Sequence, residues 1–191
     1  MEKQITFKRF TLFNALHVMP DAFHVIDTER DRLSKWFWWT DKKVTPNMAR
    51  CCLFLLLYLA DTKRKEIVHK FDFKKLYDEQ FIIMVDGKFG GMTGLDNINY
   101  VTKDAEMWRF VSKENEGIGV GSASVKFLEK YSLESKQLKR LYAKINTENT
   151  RGIQCMKRNN FTLKTTEYGI PTSRRNHKIA DIMTWEKELV K

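Results

Sequence analysis

Three of the nine glycines in this chain lie within five residues, in the sequence Gly-Ile-Gly-Val-Gly at positions 117–121. An apolar stretch typical of a strand, residues 105–111, precedes this turn, and apolar residues at helical spacing follow it. Glycines here let backbone N–H groups approach a ligand closely, and the start of a helix favours negative charge. The turn therefore predicts a phosphate-binding site, although a simple tight connection would have the same sequence.

The elements before the turn restrict the kind of phosphate site. Residues 81–85 are an apolar run, Asp86-Gly87 is a strong signal for a tight hairpin turn, and residues 88–98 return as a second strand. A dinucleotide-binding fold would instead need a parallel strand–helix–strand unit. A Walker-type loop is excluded because no Gly-Lys-Ser/Thr follows the glycines. The returning strand predicts a β-bulge or a close backbone approach at its glycines, namely Gly90, Gly91 and Gly94.

The remaining pattern predicts a mixed α/β fold without internal repeats or linkers. Further strands are expected at residues 5–10, 138–145, 161–168 and 178–185. Helices are expected at residues 20–39, at 48–59, after the glycine turn and after Asn149. A single domain spanning residues 1–191 accounts for this order of elements.

Composition excludes several classes of protein. Apolar residues make up 42% of the chain and charged residues 30%, which is typical of a folded globular protein. No apolar run reaches the ~18 residues that a membrane span needs, and the charged N-terminus does not resemble a signal peptide. Three cysteines, two of them adjacent, fit neither a disulfide framework nor a zinc cluster. We therefore expect a reduced, cytoplasmic protein with no metal and no membrane partner.

The net charge indicates an anionic partner without identifying it. Lys and Arg number 34 against 24 Asp and Glu, so the formal net charge is +10. Nucleic acid, an anionic membrane surface or a phosphate-bearing small molecule would each suit this charge. The basic residues occur in short scattered groups interleaved with acids, as on an ordinary solvated surface.

The turn and the sequence after it resemble the GNAT family of acetyl-CoA-dependent N-acetyltransferases. The family signature Gln/Arg-x-x-Gly-x-Gly/Ala is similar to residues 114–119, Glu-Asn-Glu-Gly-Ile-Gly. The family's Asn-x-x-Ser and Lys/Arg-x-Gly-Phe are similar to residues 149–152, Asn-Thr-Arg-Gly, and 158–161, Arg-Asn-Asn-Phe. Residues 33–36, Leu-Ser-Lys-Trp, resemble an early Trp motif of the RimJ/RimL branch. The resemblance implies one GNAT-like domain, in which helices flank a mostly antiparallel twisted sheet that is splayed between its fourth and fifth strands.

The resemblance also implies acetyl-CoA as the co-substrate, with no metal. The turn would hold the pyrophosphate through Gly117, Ile118, Gly119, Val120, Gly121 and Ser122. The pantetheine arm would lie along the preceding strand, at Trp108, Phe110 and Val111. Asn149 would bind the same arm, or it would only cap the helix that follows.

Several positions depart from the family pattern. Glu114 replaces the usual Gln or Arg, and its carboxylate is unfavourable beside a pyrophosphate unless Lys113 compensates. Gly152 and Met156 stand where family members have Ser or Tyr, so the usual hydroxyl acid for the departing thiolate is missing. Asn160 replaces the glycine of the last motif.

Two carboxylates are candidates for the general base that an amine acceptor requires. Glu106, at the start of the strand that would carry the thioester, is the first, and Glu167, in the C-terminal strand pair, is the second. Either could be an ordinary surface residue. On the acceptor side, Trp36, Trp39 and the loop residue Phe89 could stack on a planar group or pack in the core.

The resemblance implies acetyl transfer to a primary α-amine. The favoured acceptor is an aminoacyl-nucleotide or similar small molecule, as for the self-immunity acetyltransferases that inactivate antibiotics of the microcin C kind. The N-terminus of a ribosomal or other protein is the second candidate, although such a basic target suits a +10 enzyme less well. A non-catalytic basic RNA-binding module is the alternative of another class, but no RNA-binding strand motif is present. A monomer and a homodimer remain open.

Overall fold

Seven strands form one sheet in the computed structural model, which describes residues 3–37, 79–171 and 179–190. The sheet order is β1-β2-β3-β4-β5-β7-β6, and every neighbouring pair is antiparallel except β4 and β5. The strands are β1 (Ile5–Arg9), β2 (Glu79–Val85), β3 (Lys88–Asn99), β4 (Asp104–Val111), β5 (Arg140–Asn146), β6 (Thr162–Pro171) and β7 (Ile179–Glu188). The helices in the described part of the chain are α1 (Leu12–Thr28), α2 (Arg30–Leu33), α3 (Val120–Lys136) and α4 (Thr150–Arg158). This architecture confirms the predicted mixed α/β fold with a mostly antiparallel sheet, while the domain bounds of 1–191 stay a prediction.

The first helix begins earlier than the sequence predicted. The hydroxyl of Thr11 accepts a hydrogen bond from the backbone N–H of Asn14, so it caps α1 eight residues before the expected start. Pro20, which was expected near the start of the helix, lies inside it. The helix is interrupted at Glu29, so α1 and α2 are two separate helices and not the single helix that was predicted. The predicted helix at residues 48–59 lies outside the described residues.

Two helical layers cover the two faces of the sheet, and the strand side chains alternate between them. On β2, Ile82 and Met84 pack with α1 and α2, whereas Phe81 and Ile83 face α3. The layer with α1 and α2 buries Val18, Ala22, Leu33, Phe89 and Phe110. The layer with α3 and α4 buries Leu95, Met107, Leu128, Leu141, Met156 and Trp185. This alternation assigns each site residue of β4 and β5 to one side of the sheet.

The glycines of β3 bring its backbone unusually close to β4, as predicted. The register between β2 and β3 shifts at Gly90, which is a β-bulge. Gly91 has a φ of +143°, and a Cβ atom there would lie 2.2 Å from the carbonyl oxygen of Phe110. Only glycine fits this contact without displacing β4.

The fourth and fifth strands are paired only at their beginnings. Their parallel register joins Asp104 to Arg140, Ala105 to Leu141 and Glu106 to Tyr142. These two strands are described throughout, and beyond Glu106 no further residue pair connects them. The two strands therefore diverge beyond the Glu106–Tyr142 pair, and this confirms the predicted splay. We call the gap between them the fork, and the Glu106–Tyr142 pair, at which the strands begin to diverge, its mouth.

A buried carboxylate ties the other end of the sheet to α3. Glu79 is 6% exposed and pairs with Lys136 at the end of α3 and with Arg9 of β1, whose Nη2 lies 3.2 Å from Oε2. Burial acts to lower the pKa of Lys136, but the hydrogen bond and charge of Glu79 outweigh it and raise that pKa. The hydroxyl of Tyr131 also bonds to Glu79. One acid therefore joins two strands and a helix.

Replacing Glu79 with Gln should lower the free energy of unfolding by about 2 kcal/mol, because the buried carboxylate loses its charge and with it the charge-assisted bonds to Lys136 and Arg9. Urea unfolding at pH 7 measures this difference. Since the pKa of Lys136 is raised in the folded protein, the stabilisation is present at neutral pH and is lost as pH rises through that pKa. The difference between the two proteins should shrink accordingly at alkaline pH.

Lys164→Gln is the matched control, because it removes an ion pair of the exposed type. Lys164 Nζ lies 3.1 Å from Glu186 Oε1, and its side chain is 60% exposed. Its loss should cost less than about 1 kcal/mol. Equal losses from the two variants would contradict the role assigned to Glu79.

Candidate active site

The glycine turn presents an uncapped helix start to solvent. Gly117 and Gly119 have φ values of +80° and +91°, and a Cβ atom on either would meet nothing within 4 Å. Gly119 is the N-cap residue of α3, and no side chain caps this end. The N–H groups of the first turn, from Val120 to Ser122, therefore remain available to an anion. The open space and the left-handed backbone agree with the predicted phosphate cradle.

Two arginines from different helices fix the carboxylate that precedes this turn. Arg32 of α2 donates from Nη1 to Glu116 at 2.8 Å, and Arg151 of α4 pairs with the same carboxylate. Arg32 Nη2 also donates to the carbonyl oxygen of Val111 at 2.9 Å and pairs with Glu29. Glu29 in turn accepts the backbone N–H of Lys113 at 2.9 Å. The loop from β4 to α3 is thus held from both sides of the sheet.

Glu106 lies at the mouth of the fork on the face covered by α1. It is half-buried, and its Oε2 accepts a hydrogen bond from Asn97 Nδ2 at 3.0 Å. The pKa of Glu106 is raised, mainly because the carboxylate is partly buried. The charge of Lys144 and the hydrogen bond from Asn97 act to lower this pKa, and the charge of Asp96 acts to raise it, but burial has the largest effect. A carboxylate with a raised pKa beside a cleft is a better proton acceptor than a solvated one.

A second titratable side chain, Tyr142, pairs with Glu106 across the mouth of the fork. Burial, followed by the charges of Glu106, Asp104 and Asp96, raises the pKa of Tyr142 to about 12. The phenol therefore stays protonated at neutral pH and can donate a hydrogen bond but cannot act as a base.

The opposite side of the fork carries a basic side chain between α3 and α4. A Cβ atom on Gly121 would lie 3.7 Å from Arg109 Nε and 3.5 Å from Cys155 Sγ. The guanidinium of Arg109 hydrogen-bonds to the Cys155 thiol. Asn159 Nδ2 donates to the Cys155 carbonyl oxygen at 2.7 Å and to Ser122 Oγ at 3.1 Å. This cluster lies directly against the first turn of α3.

The structure brings most of the predicted cofactor residues together. Gly117, Ile118 and Gly119 are exposed in the turn, and β4 leads into it from the fork. The side chains of Trp108 and Phe110 pack in the layer with α1, and Val111 packs in the layer with α3. Any contact of these three residues with a ligand in the fork therefore involves mainly the backbone.

Two of the predicted cofactor residues use their side chains within the protein. Asn149 Oδ1 accepts the backbone N–H of Gly152 at 2.9 Å, which is the helix cap that the sequence had left as an alternative. The hydroxyl of Ser122 accepts the bond from Asn159. A further contact of either residue with the pantetheine arm or the pyrophosphate stays a prediction.

Two predicted site residues lie away from the cleft. Glu167 is exposed on β6, three strands from β4, which corresponds to roughly 14 Å at ordinary strand spacing. Glu167 therefore lies away from the mouth of the fork, and its role as a second candidate base stays a prediction. Phe89 lies in β3, is 2% exposed and packs against Phe110 of β4. It is therefore a core residue with no free face for stacking. Trp36 is half-buried after α2, and Trp39 lies outside the described residues.

The sequence reasoning missed Arg109 and the Glu116 network. A charged residue in the middle of the apolar stretch Met-Trp-Arg-Phe-Val was the available signal for Arg109. The network had no sequence signal, because Arg32 and Glu116 are 84 residues apart.

The described residues contain no group of three His, Cys, Asp or Glu side chains that could hold a metal ion. None of the helices in this part of the chain has the length and apolar content to span a bilayer.

Comparison with known proteins agrees with this geometry. A profile of the acetyltransferase (GNAT) family matches residues 52–161, more than half of the chain. The chain belongs to the GNAT family. YdaF of Bacillus subtilis (strain 168), which carries the provisional name of a ribosomal N-acetyltransferase, is 26% identical over 135 residues. That alignment covers 68% of this chain and 65% of YdaF, somewhat less than two thirds of the relative's length.

Solved structures of other acetyltransferases have the same fold. The ribosomal L7/L12 α-N-protein acetyltransferase RimL, in complex with coenzyme A, aligns with a TM-score of 0.73 and 16% identity. The alignment covers 96% of this chain and 94% of RimL. The microcin C7 self-immunity acetyltransferase MccE, in complex with acetyl-CoA and AMP, aligns with a TM-score of 0.71 and 16% identity, over 97% and 92% of the two chains. At this identity the likeness concerns the fold.

Gly119→Asp and Gly119→Asn form a matched pair that tests the cradle. Both side chains tolerate a positive φ and have open space here, so both proteins should fold. The added carboxylate should weaken the binding of inorganic pyrophosphate roughly 10-fold or more relative to the Asn variant, because like charges at short range repel. Calorimetric titration at low salt measures the two affinities. Equal affinities would exclude an anion at this helix start.

Proposed function

We propose that this protein is an acetyl-CoA-dependent N-acetyltransferase that acylates a primary α-amine. The observation that carries the proposal is the fork between β4 and β5, which opens beside the uncapped start of α3. The fork leaves one edge of β4 unpaired, so an extended ligand arm can lie along it, and the helix start suits a phosphate at the end of that arm. Membership of the GNAT family supports the same assignment.

The chain's own residues fit the two ends of the co-substrate. The N–H groups of Gly117, Gly119 and Gly121 are the proposed ligands of the diphosphate, since Cβ atoms on the first two positions would occupy only open space. The arginines on Glu116 hold that carboxylate turned into the protein, which limits its repulsion of an anion. The bound thioester would supply an acyl group activated towards attack by an amine.

Glu106 is the proposed general base. An amine must lose a proton to become a nucleophile, and a carboxylate with a raised pKa accepts that proton more readily. Asn97 donates to one carboxylate oxygen and fixes its orientation, which leaves the other oxygen for the amine or an intervening water. The proton passes to Glu106 as the new C–N bond forms and the C–S bond breaks.

The departing thiolate receives no proton from positions 152 and 156, where family members have Ser or Tyr and this chain has Gly152 and Met156. Met156 is fully buried, and a side chain at Gly152 would press on Asn149, whose atoms lie 3.0 Å from a Cβ placed there. A thiol has a pKa of roughly 8–9, so its anion is a tolerable leaving group near neutral pH and solvent can protonate it.

For the acceptor we propose an aminoacyl-nucleotide or a similar anionic small molecule, whose acetylation would detoxify it in the cytoplasm. The formal net charge of +10 supports an anionic acceptor. The half-buried Trp36, which follows α2 in the chain, offers an aromatic surface for such an acceptor. The structural likeness to MccE, which was solved with AMP, also supports it.

One observation favours a second acceptor class, a cationic amine such as a protein N-terminus. Three acids, Asp96, Asp104 and Glu106, act on Tyr142 or on one another at the mouth of the fork, against two basic side chains, Arg140 and Lys144, so the local charge is more negative than the net charge suggests. RimL, which has the same fold, acts on ribosomal protein L7/L12 by its name.

Glu106→Gln should lower kcat/KM roughly 100-fold or more, which is the usual contribution of a general base. In the unchanged enzyme, the acid limb of the pH profile should fall at a pH above the ordinary glutamate pKa of about 4.3, because protonation of Glu106 removes the base. The variant should lose that limb. Glu167 is an exposed acid on β6, and Glu167→Gln should keep the kcat/KM of the unchanged enzyme. If Glu167→Gln loses activity and Glu106→Gln does not, Glu167 is the general base.

The acceptor class can be tested by competition among three amines at equal concentration. A non-hydrolysable aminoacyl-adenylate analogue represents the anionic class, whereas spermidine and a basic peptide with a free N-terminus represent the cationic class. Mass spectrometry counts the acetylated products. We expect the nucleotide analogue to have the highest kcat/KM at low salt. Preference for the peptide or spermidine would instead support the second class, and salt should weaken either charge-based preference.

A further inference from the structure

Arg109 is the one charged residue among the β4 side chains that face α3 and α4. Ala105, Met107 and Val111 share that face and pack in its apolar layers. Arg109 Nε lies beside the first turn of α3, at 3.7 Å from the Cβ position of Gly121. The guanidinium therefore adjoins the same N–H groups that the glycine turn exposes.

The charge of Arg109 has no acid to balance it among the described residues. The other half-buried arginines pair with carboxylates: Arg30 with Asp27, Arg32 with Glu29 and Glu116, and Arg140 with Asp104 and Glu186. For Arg109 the hydrogen-bond partner is the thiol of Cys155. Burial lowers the pKa of Arg109, the thiol opposes that shift, and arginine nevertheless stays charged at neutral pH. A desolvated cation without a counter-charge lowers the stability of the folded protein, and binding of an anion would offset this loss.

Its surroundings hold this guanidinium in place. Asn159 binds both the Cys155 carbonyl oxygen and Ser122 Oγ, and Cys155 Sγ lies 3.9 Å from that hydroxyl. The thiol is thus fixed between α3 and α4. Arg109, bonded to it, is held against the helix start and does not extend into solvent.

We propose that Arg109 is a binding residue for the diphosphate of coenzyme A and supplies the full positive charge that the helix start alone lacks. This inference rests on the proposed function, since it assigns a further ligand to the same co-substrate. The backbone N–H groups contribute partial charges, and the guanidinium adds a unit charge from beneath them.

The test compares the affinity of Arg109→Met for two ligands, coenzyme A and S-acetylpantetheine, which has the same arm but no phosphate. Calorimetry should show coenzyme A bound roughly 10- to 100-fold more weakly by the variant, as for a lost charge-assisted hydrogen bond. Competition should show S-acetylpantetheine bound equally by both proteins. Arg109→Lys should keep most of the affinity for coenzyme A.

Thermal unfolding separates binding from a merely structural role. Without ligand, Arg109→Met should have a Tm equal to or above that of the unchanged protein, because an unbalanced charge has been removed. Inorganic pyrophosphate should raise the Tm of the unchanged protein and not that of the variant. Arg140→Met, which removes an arginine already paired with Asp104, should keep the full affinity for coenzyme A.

Four outcomes would overturn the assignment. Equal weakening of both ligands, or a lower Tm without ligand, would make Arg109 a structural residue. Unchanged affinity for coenzyme A would exclude contact with the diphosphate. A lower kcat with unchanged affinity would place the guanidinium at the leaving thiolate instead. If the folded, unchanged protein does not bind coenzyme A, the proposed function fails as well, whereas the first three outcomes leave it intact.

Discussion

The early end of the pairing between β4 and β5 determines the rest of the site. Two adjacent parallel strands require a long crossover, and here α3 provides it. Because the strands diverge after Glu106, one edge of β4 stays unpaired, and the crossover helix begins close to the end of that edge. The glycine turn, the candidate base and the half-buried Arg109 all take their positions from this one divergence.

The positions of the charged side chains say more about what the cleft can bind than the net charge does. The chain is strongly basic, yet Glu29 and Glu116 are used to hold the loop before α3, and the mouth of the fork has an acidic character. The basic charge is mostly paired where it is half-buried. Arg109 is the exception, and it is adjacent to the helix start. Formal net charge therefore describes long-range attraction, whereas the local pairs decide what the cleft accepts.

Local signals in the sequence predicted the sheet, the hairpin, the glycine turn and the cap at Asn149, because each depends on neighbours within a few residues. The start of α1 was predicted eight residues too late, because the helix is capped by the hydroxyl of Thr11 and runs through Pro20. Phe89 was misplaced for a different reason, since burial is a property of the folded chain, as is the strand order that separates Glu167 from the fork. The pairing of Arg32 with Glu116 likewise required the two helical layers to be in place.

The glycines of this protein are retained for two opposite reasons. At Gly91 the backbone of the next strand leaves no room for a Cβ, whereas Gly117 and Gly119 have empty space around them and need only an unusual backbone angle. Natural variation at these positions should therefore harm the cell by different routes. A change at Gly91 would reduce the abundance of the protein through misfolding and proteolysis, while an acidic substitution at the turn would leave normal amounts of a folded protein with weakened anion binding.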